Sequence, residues 1–154
     1  MKGLLAAAAL CLCTITTAQN YNDIHALLNA DLRTEKDAIV MGALDLSEPQ
    51  RALFMPIYQA YTVALRAHWE KRAMLIDDYA KARETLDDAT AASFMKRLTA
   101  LELELISIRD DHAKKVGKVL PMTVAAQWVL VERRLNQLLE LQVANEVLMV
   151  PAKR

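Results

Sequence analysis

The sequence FMKRLTALELELISIRDDHAKKVGKV, residues 94–119, is the stretch that decides the fold. Its apolar positions recur in steps of three and four, which is the heptad pattern of long helices that cross at shallow angles. Asp87 is a suitable N-cap ahead of this stretch, and Pro121 is expected to end it. The stretch therefore predicts one long amphipathic helix whose inward seam is Phe94, Leu98, Leu101, Leu105, Ile108, His112, Val116 and Val119.

A second long helix is predicted ahead of the first, reaching about Ala82. Ser47 is a natural N-cap, Gln50 occupies the capping-box position, and Pro49 is tolerated in the first turn. Pro56 lies within the second or third turn, where a kink is the usual consequence. The apolar seam of this helix has a polar gap at His68 and Arg72 and consists of Phe54, Tyr58, Tyr61, Leu65, Ile76 and Tyr79.

Short breaks between long helices force antiparallel neighbours, so the polar break at residues 83–88 predicts a hairpin of the two long helices. Two further helices, from about Asp23 to Leu44 and from about Met122 to Val147, are expected to pack on this hairpin. The last helix should place on one side Val124, Trp128, Val131, Leu135 and Leu138. The predicted fold class is all-α: an elongated antiparallel hairpin whose leftover apolar surface a homodimer would cover.

Residues 1–18 have the organisation of a signal peptide. A basic start at Lys2 precedes an apolar run over residues 3–13, which is too short to span a bilayer. Small residues then lead to a predicted cleavage between Ala18 and Gln19. The alternative is a buried N-terminal helix, but the polar stretch that follows the apolar run argues against it.

Both cysteines, Cys11 and Cys13, lie in the predicted signal peptide. The processed chain would therefore be stabilised by packing rather than by disulfides, even in an oxidising compartment. We expect a periplasmic protein that consists of a single helical domain over residues 19–150 and a frayed tail over residues 151–154.

The charge balance argues against polyanionic partners. The chain has 19 basic and 19 acidic residues and a formal net charge of zero, so it has no strong attraction to nucleic acid or to an anionic membrane. No apolar run after the signal peptide reaches the length of a membrane span. The basic pairs have acidic neighbours and are predicted to form solvated helix faces. These groups are Asp110, Asp111, Lys114 and Lys115, and Glu132, Arg133 and Arg134.

The residues that suggest catalysis do not converge. Carboxylates are adjacent at residues 77–78, 87–88 and 110–111, and adjacent residues on a helix point about 100° apart. Such pairs cannot act together on one substrate atom. We therefore expect no catalytic residue, no cofactor and no enzymatic activity.

His68 and His112 are the better candidates for a metal site. In a hairpin that turns near residue 85 they face about residues 101 and 57, so their imidazoles would lie about 16 Å apart along the axis at 1.5 Å per residue. They cannot share an ion within one subunit, and the sequence predicts no metal ligand. A dimer interface that brings histidines together is the alternative.

The starts of the two long helices echo each other about forty residues apart. Each has Leu, a capping residue, an acid and, further on, Phe; two unrelated helix starts explain the spacing equally well. Following a signal peptide and set within a hairpin, these starts resemble the LTxxQ motifs of the bacterial Spy/CpxP family. The residues at the motif positions are Leu46, Ser47, Gln50, Leu86 and Asp87.

The likeness covers the chain from about Asp31 to Val150 and is closer to uncharacterised exported proteins of the same general kind. They share an aromatic and Pro-Ile-Tyr-like stretch, a Val-Leu-Pro turn and a terminal Glu-rich helix. The matching segments here are FMPIY at 54–58, KVLP at 118–121 and VERRL at 131–135. The first motif departs from the family pattern by having Ser in place of Thr, and the second retains only the opening Leu.

Spy/CpxP proteins are periplasmic helical proteins associated with envelope stress and with binding of unfolded protein. The resemblance implies a binding protein whose partner is an unfolded client or an envelope sensor. Four methionines would suit varied partners: Met41, Met55, Met74 and Met95. The alternative is a metal-responsive periplasmic sensor without catalytic activity.

Overall fold

A computed structural model of the chain describes residues 32–146, with side chains over residues 36–141 and at 144. This part of the chain contains helices and no strand, which confirms the all-α class. The helices are α1 (Leu32–Leu44), α2 (Glu48–Ala82), α3 (Asp88–Val119) and α4 (Met122–Glu146). None of them combines the length and the apolar character that crossing a membrane requires. Several predictions fall outside the described residues: the signal peptide with its cleavage between Ala18 and Gln19, residues 23–31 of the first helix, Val147, and the 151–154 tail.

Helices α2 and α3 form an antiparallel hairpin closed by a short loop. The farther a contacting pair lies from this loop, the more residues separate its two members in the sequence. This is the order that antiparallel packing requires. In order from the loop, the pairs are Tyr79 with Phe94, Arg97 with Asp78, Lys71 with Glu104, and Tyr61 with His112. The hairpin turns near residue 85, where the sequence predicts it.

The turn between α1 and α2 is built by local polar contacts. Asp45 has a φ of 45°, in the left-handed region that commonly ends helices and that Asp tolerates well. Ser47 is the N-cap of α2, and its backbone N–H donates to Oε1 of Gln50 at 3.0 Å. This is the capping arrangement that the sequence predicts. From there α2 continues as one helix through Pro56.

Helix α3 begins with the predicted cap. The Asp87 carboxylate accepts a hydrogen bond from the backbone N–H of Thr90 at 2.7 Å, and this bond holds the pKa of Asp87 below its usual range. At the other end, Leu120 is extended ahead of Pro121, which ends α3 and lets α4 fold back along it.

The hydrophobic core lies where the shorter helices cover the open end of the hairpin. Helix α4 packs against α3, and α1 packs against α4. The buried apolar residues that form one cluster there are Val40, Leu44, Leu46, Phe54, Tyr58, Tyr61, Leu65, Trp69, Leu105, Val116, Leu120, Ala125, Trp128 and Leu139. Phe54 packs on Tyr58 and against the edge of Trp128, with ring centroids 5.4 and 5.9 Å apart. This end of the molecule is therefore a helical bundle.

The structure corrects two details of the predicted seams. Leu138 is 60% exposed and Val119 is 43% exposed, so both predictions of an inward position are wrong. His68 is the polar residue predicted to interrupt the seam of α2, and it is buried there. Leu138 is exposed because polar residues occupy part of the inward face of α4. A search for apolar spacing does not detect such residues.

Phe54→Ala should lower the free energy of unfolding by about 3–5 kcal/mol, because it leaves a cavity beside two aromatic rings. The matched control is Leu53→Ala at the neighbouring, half-exposed position, where we expect a loss of less than about 1 kcal/mol. Urea denaturation followed by circular dichroism measures both. Equal losses in the two variants would contradict the placement of the core.

Candidate functional site

A charged pair lies inside the bundle. Glu132 on α4 has no exposed surface, and its Oε2 atom lies 2.9 Å from Nζ of Lys36 on α1. The Tyr61 hydroxyl on α2 donates to the same carboxylate oxygen at 2.8 Å. The sequence-based prediction that Glu132 belongs to a solvated face is therefore wrong: this carboxylate is turned inward, where two donors from other helices reach it.

Both tyrosines of this region are held in their neutral form. Burial raises the pKa of Tyr61, and the negative charge of Glu132 raises it further. Burial also raises the pKa of Tyr58, whose hydroxyl donates to Oδ1 of Asp37 at 2.7 Å. Each tyrosine therefore acts as a hydrogen-bond donor that ties α2 to a carboxylate on another helix.

The polar network is not fully satisfied by the described part of the chain. Three groups have buried polar atoms without a hydrogen-bond partner there: Oε1 of Glu132, the indole N–H of Trp128, and both side-chain polar atoms of Asn136. Asn136 lies near enough to Tyr61 to offset part of the rise in its pKa. Glu132 itself lies in the bundle interior, so its main effect is to position helices rather than to meet a substrate.

Lys36→Met should destabilise the fold by about 3–5 kcal/mol, because it leaves a buried carboxylate without its cation. Adding Glu132→Leu should restore most of that loss, since an apolar pair needs no charge compensation. Lys71→Met, at an ion pair whose lysine is half exposed, serves as the control and should cost at most about 1 kcal/mol. Chemical denaturation of the four proteins measures these differences. A cost at Lys36 no larger than that at Lys71 would refute the buried pair.

A groove runs between α2 and α3 near the hairpin loop. It encloses about 600 Å³, and its lining combines apolar and charged side chains: Lys71, Met74, Leu75, Asp77, Asp78, Arg97, Ala100, Leu101 and Glu104. Leu75 and Leu101 are buried and form its apolar base, whereas Met74 is 51% exposed. The groove can therefore offer apolar contact to a bound chain.

Ion pairs cross this groove from one helix to the other. Lys71 Nζ lies 2.5 Å from Oε1 of Glu104, and Arg97 lies 2.7 Å from Oδ2 of Asp78. The Lys71 ammonium holds the pKa of Glu104 below its usual range. Because these side chains are between about one-third and one-half exposed, the pairs can exchange partners with a charged ligand at small cost.

His68 lies beside the groove. Its Nδ1 is 3.4 Å from Oε2 of Glu104 and therefore carries the proton, because a carboxylate only accepts. Its Nε2 is buried and has no hydrogen-bond partner among residues 32–146. Burial lowers the pKa of His68 despite the nearby carboxylate, since a proton on Nε2 would place a charge against Trp69 and Arg72.

The two histidines of the hairpin occupy separate environments. His112 donates from Nδ1 to the carbonyl oxygen of Ile108 at 2.7 Å and packs against Tyr61, close to the predicted level of residue 57. His68 meets Glu104, close to the predicted level of residue 101. Within residues 32–146 no three His, Cys, Asp or Glu side chains come close enough together to hold a metal ion.

Stability should fall as the pH drops below about 6.5, the ordinary pKa of histidine. The unfolded chain then binds a proton that buried His68 resists, and linkage shifts the equilibrium toward unfolding. His68→Leu should lose less stability than the wild type between about pH 7.5 and pH 5, as measured by urea denaturation at each pH. An unchanged pH dependence in His68→Leu would show that this histidine does not resist protonation.

The predicted motif residues act as helix starts at opposite ends of the hairpin. Leu46 is buried at the bundle end beside the Ser47 and Gln50 cap, whereas Leu86 is half-buried at the loop end beside Asp87. The structure therefore does not bring the two motifs into one site. Of the four methionines, Met74 and Met95 are exposed and Met41 and Met55 pack against the core.

Sequence reasoning missed the buried pair, although a signal for it exists. Glu132 lies four residues after Trp128 and seven before Leu139, which are inward spacings on a helix. The partner Lys36 carries no comparable local signal. The ion pairs across the groove could not be predicted from the sequence either, because they depend on the relative register of two helices.

Comparisons with known proteins identify no relative of this chain. No protein-family model, no curated protein and no solved structure matches the chain.

Proposed function

We propose that this chain is an exported, periplasmic, non-enzymatic helical protein that binds segments of unfolded protein in the groove between α2 and α3. The observation that carries the proposal is the composition of that groove, with a buried leucine base, an exposed methionine and charged rims. Unfolded segments offer apolar and charged side chains together, and such a lining complements both.

Charge and flexibility of the lining support a broad choice of clients. Lysine and arginine on the rims are matched by acidic partners across the groove, so neither strongly basic nor strongly acidic segments are excluded by repulsion. Met74 is unbranched and polarisable, which lets it adapt to different apolar side chains. Weak, exchangeable contacts of this kind favour reversible capture over one tight complex.

Export is the part of the proposal that depends on the sequence alone. The basic and apolar start of residues 1–18 and the small residues before Gln19 support it. The resemblance of the helix starts to the LTxxQ motifs supports the same compartment and the same class of partner. An envelope sensor that presents a similar apolar and charged segment would fit the same groove.

The purified protein, in molar excess, should slow the aggregation of reduced, unfolded α-lactalbumin as measured by light scattering. Met74→Asp should protect the client less, because it places a charge on the apolar part of the groove. Val63→Asp is the matched control, since Val63 is also exposed on α2 but does not line the groove. No protection by the wild type, even at large excess, would refute the proposal. Equal losses in both variants would refute the groove as the binding surface.

A further inference from the structure

A second cavity lies between α2, α3 and α4, apart from the hairpin groove. Its volume is about 350 Å³, within the range of small-ligand sites. Three arginines from three different helices line it: Arg72 on α2, Arg109 on α3 and Arg133 on α4. Asn136, one turn along α4 from Arg133, also lines the cavity.

The three arginines outnumber the two glutamates that line the cavity with them, Glu102 and Glu140. None of the three arginines takes part in an ion pair among the side chains that the structure describes. Arg72 packs its guanidinium over the Trp69 ring at 5.7 Å, and its buried Nε has no hydrogen-bond partner in the part of the chain that the structure describes. Like charges that line one cavity repel each other, and the two glutamates relieve this repulsion only in part, so a bound anion would lower it further.

Asn136 points independently to a bound polar group. The residue is 3% exposed and lies near the Tyr61 hydroxyl, yet neither its side-chain oxygen nor its side-chain nitrogen is close enough to a partner in the described chain for a well-formed hydrogen bond. Leaving a buried amide unpaired is costly, so such groups are rare and need a cause. A ligand in the cavity that accepts from the amide nitrogen would remove this cost.

We propose that this cavity binds an oxyanion, namely the carboxylate or phosphate group of a small solute. Arginine presents its N–H groups as a planar fork that matches both oxyanions, and the Asn136 amide adds a neutral donor. Glu102 and Glu140 also line the cavity and repel negative charge. A compact anion therefore fits better than a polyanion. This site is independent of the client groove, and either proposal can fail without the other.

Isothermal titration of the full chain with inorganic phosphate and, separately, with succinate tests the proposal and distinguishes the two sources. Saturable binding of at least one of them with one site per chain is expected. Sodium chloride at equal ionic strength is the reference for non-specific screening. Failure of both anions to bind would overturn the proposal.

Variants place the binding in this cavity. Arg109→Gln and Arg133→Gln should each weaken the binding about tenfold or more, because each removes a charged fork. Arg134→Gln is the matched control, since this neighbouring arginine is exposed and does not line the cavity. Asn136→Leu should stay folded, because it removes an unpaired buried amide, and should lose both anion binding and the rise in Tm that the anion gives the wild type. Equal binding by Arg133→Gln and Arg134→Gln would overturn the site.

Discussion

Taking a carboxylate out of water costs several kcal/mol even after the protein relaxes, and Glu132 has no exposed surface at all. This cost is offset only if a cation and a hydroxyl reach the carboxylate together. Lys36 comes from α1 and Tyr61 from α2, while Glu132 itself belongs to α4. A slip of one of these helices along the others would leave a buried charge unpaired. The pair therefore selects one register for the bundle, which apolar packing alone would select less sharply.

The lengths of the helices explain why the two ends of the molecule differ. Helix α1 has 13 residues and α2 has 35, so α1 can cover only part of the hairpin. Near the loop, α2 and α3 have mainly each other to pack against, and Phe94 and Leu98 stay half-buried there. Less burial leaves room for an open groove and makes this end the less stable part of the hairpin. The bundle end contains the core, and the groove between α2 and α3 lies toward the loop end.

Local signals account for what the sequence could predict. Helix starts at Ser47 and Asp87 depend on contacts three residues away, and the apolar period of α3 depends on spacing within one helix. The position on α3 that His68 faces was predicted to within one helical turn, because this prediction needs only the position of the loop. Glu132 and Leu138 were misplaced because polar residues turned inward rotate the buried face of α4. The partner of Glu132 is Lys36, a residue nearly a hundred positions away, and no local pattern predicts that pairing.

The same distinction separates net charge from local charge. A chain with as many bases as acids has no long-range field to attract polyanions, and the sequence-based expectation of no nucleic-acid partner depends on that. In the hairpin groove the charges are balanced locally, since Lys71 and Arg97 each form an ion pair with an acid on the other helix. In the cavity between α2, α3 and α4 the charges are not balanced in this way, because its three arginines have no ion-pair partners in the described chain. Short-range recognition depends on the second kind of balance, so a chain of zero net charge can still have a cavity with a local excess of positive charge.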